Sequence, residues 1–591
     1  MKIIHKKDGG RLGDGPGWCC SSNRKGGYAL FGPHSHFSGV CFFDLSQWTL
    51  VKTLSNIFID GSPSSVESLG WGARRSTGPA SEEWFMSERS FFYEVDQYDG
   101  PVTIDLDMRR LYDRESLDRN YKIYFDGDAV VVEYERSEEK FFLVIRGPES
   151  YKLLNEWLPA DASWDASRGG DDGFWVYRAL QFEVSSKARF SFSFGKTLDE
   201  AYDAAEDFFA WDQVKARVSR SFSNDFSGDA SVALTSLDSL TVSVPGRSGV
   251  FAGYPWFFQF WARDELISLH AHVLAERFAL AREVLFRHAS SLSDDGRLPN
   301  MLPHSDLGSA DAVGWLWLRW GQFLKALQEK GLLWEYVSHE ELVWLEGQLA
   351  SSLDNLRRDH FFDGLIVNGP LETWMDTGKY VGDERAGARI EIQALTLASL
   401  RTWMELLSLL KKSDPRARDW FDSLKERTRE QFFSDDCLWD GVVAGKTDKV
   451  IRSNVFIAAY AAPELLSSSE WSLVFDHTLK ELWLDWGGVA SLSKKHSLFC
   501  LDYSGGDNTS YHRGDSWYWV NNLAALVLQR MDKNKFSLFI EGIKKASVSE
   551  MLWGGVAGGC AEVSSARELQ SKGCLVQAWS AATLIEFLLE K

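Results

Sequence analysis

Asp376 stands two residues after Trp374 in the stretch Gly369-Pro370-Leu371-Glu372-Thr373-Trp374-Met375-Asp376-Thr377-Gly378. Gly369 and Pro370 stop any helix arriving from Leu349 to Arg358, and Gly378 stops anything leaving, so carboxyl and indole share an irregular loop between periodic segments. An indole face removes water from a neighbouring carboxyl, and a desolvated carboxyl keeps its proton to higher pH. The loop therefore predicts a group able to donate a proton near neutral pH. The plainer alternative is a helix-capping aspartate beside a core tryptophan.

A second stretch, Gly253-Tyr254-Pro255-Trp256-Phe257-Phe258-Gln259-Phe260-Trp261-Ala262-Arg263-Asp264-Glu265, precedes a helix and sets Arg263 beside Asp264 close to Trp256 and Trp261. Such a pair suits the hydroxyls of a terminal sugar, or else balances charge at a helix start. The 26 tryptophans favour the first use, since an indole offers a flat apolar face and one donor, which matches the apolar C–H face and hydroxylated rim of a sugar ring. Most of them must nevertheless be core.

These two stretches and three more fall in a fixed order. The others are Arg389-Ile390-Glu391-Ile392-Gln393-Ala394-Leu395, Ser510-Tyr511-His512-Arg513-Gly514-Asp515-Ser516-Trp517-Tyr518-Trp519 and Gly573-Cys574-Leu575-Val576-Gln577-Ala578-Trp579-Ser580. Together they resemble the motifs of the glucosidase domain of glycogen debranching enzyme, the amylo-α-1,6-glucosidase family, over roughly Gly253 to the C-terminus. The resemblance implies an (α/α)6 barrel, related to glucoamylase-type glycoside hydrolases, that hydrolyses α-glucosidic bonds with inversion. It implies an Asp as general acid, which falls on Asp376, and a Glu as general base. In the family the base lies in a Ser-Glu-Ile motif; here that becomes Cys560-Ala561-Glu562-Val563, so the base falls on Glu562, with Glu568 the fallback because the spacing to Gly573 differs. Glu562 follows Gly554-Gly555 and Gly558-Gly559, a run suited to placing a carboxylate on a loop. Trp256, Trp261, Arg263, Asp264, Trp374, Trp517, Gln577 and Trp579 then surround the terminal glucose. Glu391 and His512 are further candidates, although Glu391 equally suits a buried pair with Arg389 or Arg385.

The activity so implied is exo-acting hydrolysis of α-1,6 glucosidic branches in glycogen-like or malto-oligosaccharide substrates, with no metal or organic cofactor required. The chemistry demands such a pair of carboxyls: one protonates the departing oxygen while the other activates a water on the opposite ring face. Alternatives are a glucoamylase-like or trehalase-like enzyme on the same barrel, an inverting disaccharide phosphorylase, and a glycan-binding protein without activity. The likeness does not extend to the transferase domain found in the large debranching enzymes.

At 591 residues the chain predicts two to four domains, and 45% hydrophobic residues supply large cores. A net charge of -20 with no Lys/Arg-rich run argues against nucleic-acid and anionic-membrane partners. Met1 to Gly9 lacks an apolar leader core and no apolar stretch is long enough to cross a bilayer, so a cytoplasmic protein is expected. Seven cysteines at irregular spacing indicate neither a disulfide framework nor a zinc site. His34 and His36 lack a third ligand nearby and read as strand residues. Gly441 to Thr447 is one residue short of a phosphate loop and reads as a turn.

These residues need positioning elements. From Tyr28 to Phe194, short strands are expected at 39–43, 56–60, 90–95, 102–108, 122–125, 129–134, 140–145, 173–180 and 188–194, with a hairpin turn at Phe125-Asp126-Gly127-Asp128. That pattern predicts an antiparallel β-sandwich over 1–196 without a catalytic cluster. A helical linker follows over 197–228, its helix running from Leu198 to Ser219. The catalytic barrel is expected over 229–591, with helices near 229–241, 262–276, 278–292, 309–330, 338–359, 386–411, 414–433, 452–461, 468–483, 512–530, 533–547 and 574–590. Several are apolar on more than one face, as helices buried between neighbours must be.

Overall fold

The computed structural model describes residues 3–6, 15–115, 117–171, 173–302, 308–380 and 382–590. Fourteen strands from Ile3 to Gly195 hydrogen-bond into one antiparallel network. Its centre is a pair of 21-residue strands, Ser90–Arg110 and Trp175–Gly195. Alternate side chains from both, such as Ile104, Leu106, Phe182 and Phe192, enter a core shared with Phe42, Trp84, Val130 and Leu143. One face of the folded network is thereby closed on itself, as in a sandwich. The sequence pattern divides each long strand in two because Gly100 and Pro101 interrupt the first, and the second shifts register between Ser186 and Lys187. The ladder continues through both bends.

The linker helix is not continuous. Leu198–Ala205 is capped by Thr197, a 3-10 turn covers Glu206–Ala210, and Trp211–Ser221 resumes the helix. Trp211 is anchored edge-on against Phe85 and Phe92 of the sheet, at 5.5 and 5.0 Å between ring centroids, and that contact fixes where the second segment begins.

Twelve longer helices then alternate between two rings: α1 (Gly228–Leu240), α2 (Ala262–Leu274), α3 (Phe278–Ala289), α4 (Ala312–Glu329), α5 (His339–Asp359), α6 (Ile390–Leu409), α7 (Pro415–Phe432), α8 (Asn454–Ala461), α9 (Ser468–Leu482), α10 (Tyr518–Asp532), α11 (Ser537–Ser549) and α12 (Ala578–Leu589). The even-numbered helices pack in a closed ring, α2 on α4, α4 on α6 and so on to α12 on α2, with the odd-numbered helices outside. Burial follows the ring. Inner α8 is buried at every position, whereas outer α5 buries only the stripe Leu342, Leu345, Leu349, Ser352, Leu353 and Leu356. Helix starts carry the chemistry expected of them: a Ser338/Glu341 capping box on α5, and Asp414 with Pro415 on α7.

Two-residue ladders tie the loops that precede the inner helices. Gly253–Tyr254 pairs with Val576–Gln577, Phe260–Trp261 with Met301–Leu302, Ser516–Trp517 with Val563–Ser564, and Ala388–Arg389 with Gly441–Val443. Four of the five motif stretches are thus pinned by a ladder at the N-terminal ends of the inner helices, the first and last of them to each other. Gly441 to Thr447 is a hairpin whose turn is Ala444 and Gly445, both at positive φ, in agreement with the turn expected there. All seven cysteines are free thiols, and no described helix is long and apolar enough to cross a membrane.

Candidate active site

A cavity of about 470 Å³ opens where those loops meet. Trp256, Trp261, Arg263, Asp264, Trp374, Asp376, Trp517, Glu562, Gln577 and Trp579 all line it. Ten of the twelve residues expected at the site are therefore brought together, from five separate stretches of chain.

The Asp376 loop is held at several points. Glu372 accepts from the Gly369 N–H and from Arg297 Nη1, Thr373 Oγ1 accepts from Arg385 Nη1, and the Thr377 carbonyl accepts from Arg513 Nη2 at 2.6 Å. Trp374 donates from Nε1 to Asn454 Oδ1 at 2.7 Å and meets Trp517, Trp519 and His512 edge-on. This carries the Asp376 carboxyl to the cavity wall, with about a third of its side chain exposed. Burial works to raise its pKa, but the His512 ring 3.6 Å away and the Arg263 guanidinium 3.2 Å away outweigh it and hold Asp376 below its ordinary value. Burial pushes His512 down to about 4, so its ring is neutral near pH 7 and Arg263 is the charge that keeps Asp376 ionised. The raised pKa expected from Trp374 alone is thus reversed in the free protein.

Glu562 lines the same cavity, just before the ladder to Ser516–Trp517, and is 2% exposed. Its Oε1 accepts from the Tyr511 hydroxyl at 2.6 Å and its Oε2 from the Cys574 N–H at 2.8 Å. Gly573, at φ +67°, permits this approach: a Cβ there would lie 2.2 Å from Glu562 Oε2. Burial raises the Glu562 pKa to about 7 against the lowering effects of Tyr511, Cys574 and Arg168. Asp264, which accepts from Gln577 Nε2 at 2.9 Å, is pushed up to about 8, again chiefly by burial. Arg263 is clamped by Asp311 at 2.8 and 3.0 Å. The cavity thus holds three carboxyls that feel one another, with the protons on Asp264 and Glu562 rather than on Asp376.

Two candidates lie off the wall. Glu391 is fully buried and pairs with Arg385 at 2.7 and 3.0 Å, and Asp440 binds the same guanidinium, so its charge is structural and it does not reach the cavity. His512 sits behind the wall, stacked on Trp517 with ring centroids 5.0 Å apart. Glu568 is exposed outside the cavity, which removes the alternative to Glu562. His36 contacts buried Asp165 at 2.9 Å and exposed His34 contacts Asp161 at 3.1 Å, each a separate pair.

Sequence reasoning missed Phe37, Tyr112 and Arg168, which come from the strand domain and line the cavity, and Tyr511, which grips Glu562. Tyr511 lay inside a recognised motif, but nothing local marked it. The three strand-domain residues carry no sequence signal, since they meet the barrel only through the folded interface.

The amylo-alpha-1,6-glucosidase family model matches residues 235–586, more than half of the chain. The chain belongs to the amylo-α-1,6-glucosidase family. It is a glycoside hydrolase. No curated protein matches it at a significant level. Among solved structures, a bacterial glucoamylase complexed with acarbose is similar over 100% of this chain and 97% of its own, with a TM-score of 0.62 at 10% identity. At that identity the likeness concerns the fold: a strand domain followed by an (α/α)6 barrel. The GH63 mannosylglycerate hydrolase from Thermus thermophilus in complex with glucose covers 61% of this chain and 100% of its own, at 16% identity and a TM-score of 0.48.

Proposed function

We propose that this protein is an inverting, exo-acting α-glucosidase that hydrolyses α-1,6 glucosidic branches of glycogen-like or malto-oligosaccharide substrates, with Asp376 as general acid and Glu562 as general base. The observation that carries the proposal is the cavity itself: two carboxyls from loops 186 residues apart line it together with Trp374, Trp517 and Trp579. Its inner end is sealed by buried Arg263, Asp264 and Gln577, which favours entry of a chain terminus rather than passage of a whole chain. The family description favours the α-1,6 linkage.

In this mechanism Asp376 protonates the glycosidic oxygen as the C1–O bond breaks. Glu562 takes a proton from a water that attacks C1 on the opposite face, so the α-glycoside yields β-glucose. The free protein has the proton on Glu562 and the charge on Asp376. A sugar whose hydroxyls engage Arg263 weakens the hold of that cation on Asp376 and excludes water from it, both of which raise its pKa. The proton then moves within the cluster with no net uptake.

The reverse assignment, with Glu562 as acid and Asp376 as base, is favoured by the protonation order of the free protein. α-Glucosyl fluoride separates the two, because fluoride departs without a proton. Under the proposed roles Asp376→Asn loses about 10² to 10⁴-fold on isomaltose yet retains turnover of the fluoride, while Glu562→Gln loses both. The opposite pattern reverses the roles, and full activity of Asp376→Asn on isomaltose removes that residue from the mechanism.

A further inference from the structure

Of the two arginines on the cavity wall, Arg263 is engaged by Asp311 and Asp376, whereas Arg168 forms no ion pair among the described residues. In a chain with 84 acidic against 64 basic side chains, an arginine beside a pocket could readily have been neutralised. Among the described residues its only side-chain hydrogen bond runs from Nε to the Tyr503 hydroxyl at 3.4 Å, a long and weak one. Both Nη groups are left without a partner among those residues. The guanidinium lies over Trp164 and Trp256, 4.5 and 4.1 Å from their ring centroids, so little rotamer freedom remains to be lost when it grips a ligand.

The arm that carries Arg168 is firmly built. At its base buried Asp165 accepts from the Ser35 hydroxyl and the His36 N–H, and the Trp164 N–H donates to the His34 carbonyl. At its tip the Arg168 carbonyl accepts from the Gly506 N–H at 2.6 Å. A Cβ on Gly505 would stand 2.8 Å from that carbonyl oxygen, so glycine there lets the strand domain come down on the barrel loop.

Exposure gives the direction along the cavity. Arg263, Asp264, Trp374, Gln577 and Trp579 are buried and form the inner end, while Arg168, Trp256 and Tyr503 are half-buried and Tyr112 is 48% exposed. A glucose seated at the inner end sends its leaving group toward Arg168. Burial raises the pKa of both Asp264 and Glu562, which reduces the negative charge that opposes the guanidinium within the cavity.

We propose that Arg168 binds the leaving group and that leaving groups carrying a carboxylate are preferred over neutral ones of the same linkage. This rests on the α-glucosidase reading of the cavity. A planar fork matches a carboxylate with two charge-assisted hydrogen bonds, which corresponds to about tenfold in kcat/KM at a half-exposed site.

Maltitol and maltobionate share an α-1,4-linked glucose and an open-chain leaving group, and differ in a primary alcohol against a carboxylate. Isomaltitol and isomaltobionate form the equivalent α-1,6 pair. The expected result is about tenfold higher kcat/KM for the acid of each pair, a ratio near one in Arg168→Gln, and a partly kept ratio in Arg168→Lys. Equal rates in the wild type, or a preference that survives Arg168→Gln, overturns the proposal. Hydrolysis of none of the four sinks the α-glucosidase reading instead. Calorimetry on Asp376→Asn then still decides this proposal, because equal affinity for maltobionate and maltitol overturns it.

Discussion

Tyr511→Phe removes one donor from Glu562 and little else. The ring stays packed on Trp517, 4.6 Å between centroids, while Oε1 loses the hydroxyl that stood 2.6 Å away. The Tyr511 hydroxyl is itself pushed well above its ordinary pKa by burial and the adjacent carboxylate, so in the wild type it donates at every pH of interest. A hydrogen bond to a charged group contributes about 1.5 to 3 kcal/mol, and one pKa unit is about 1.4 kcal/mol, so losing it raises the Glu562 pKa by about one to two units. The sign follows because the lost donor favoured the anion over the neutral acid. The productive form, with the proton on Asp376 and Glu562 ionised, then becomes rarer by about ten- to a hundredfold wherever the pair holds one proton, while the alkaline limb of the kcat/KM profile moves up from about 7. At pH 7 the variant is then about five- to fiftyfold slower on isomaltose, and it approaches the wild-type rate in alkali. Glucose release measured from pH 5 to 10 reads this directly. An unchanged rate below pH 7 refutes the claim that Glu562 must be ionised. An alkaline limb that moves up with no loss of rate below pH 7 is the mark of Glu562 as the acid.

Asp440 holds Arg385, Arg389 and Arg452 and accepts from Asn454 Nδ2 at 2.7 Å. Asp440→Asn leaves these cations without their shared buried anion and costs about 3 to 5 kcal/mol in denaturant unfolding; a loss under about 1 kcal/mol contradicts that role. Glu562 bears on stability with the opposite sign. Its folded pKa of about 7 exceeds the unfolded value of about 4.3, so the folded chain binds the extra proton and stability falls as pH rises between the two. Above pH 7 the cost is about 3 kcal/mol, less what a glutamine loses facing two donors. The melting temperature of Glu562→Gln relative to wild type therefore improves by roughly 2 °C between pH 5 and pH 8.5, and an unchanged gap contradicts the buried, protonated carboxyl.

Local periodicity was enough to read the barrel. All twelve long helices are visible as apolar patterns, because inner helices such as α8 are apolar throughout and outer ones such as α5 carry a stripe. Chain order singled out Asp376 and Glu562 through their motifs, and both carboxyls line the one cavity. What stayed illegible depends on contacts between distant segments. The pKa of Asp376 turns on Arg263, 113 residues away, so the adjacent indole misled. Glu391 was open between the site and a buried pair with Arg389 or Arg385, and the clamp of Arg385 between Glu391 and Asp440 decides for the pair. Arg168 reaches the pocket only because a strand-domain arm meets Gly506, 338 residues later, and no local pattern records such a meeting.

Single-displacement hydrolysis between two carboxyls that line one cavity is the central claim. Proton NMR of isomaltose during the first minutes of turnover tests it, since the anomeric signal of newly released glucose is read before mutarotation. β-Glucose is expected first, with the α anomer growing in afterwards, and no release by Asp376→Asn. α-Glucose as the initial product would mean retention and contradict it.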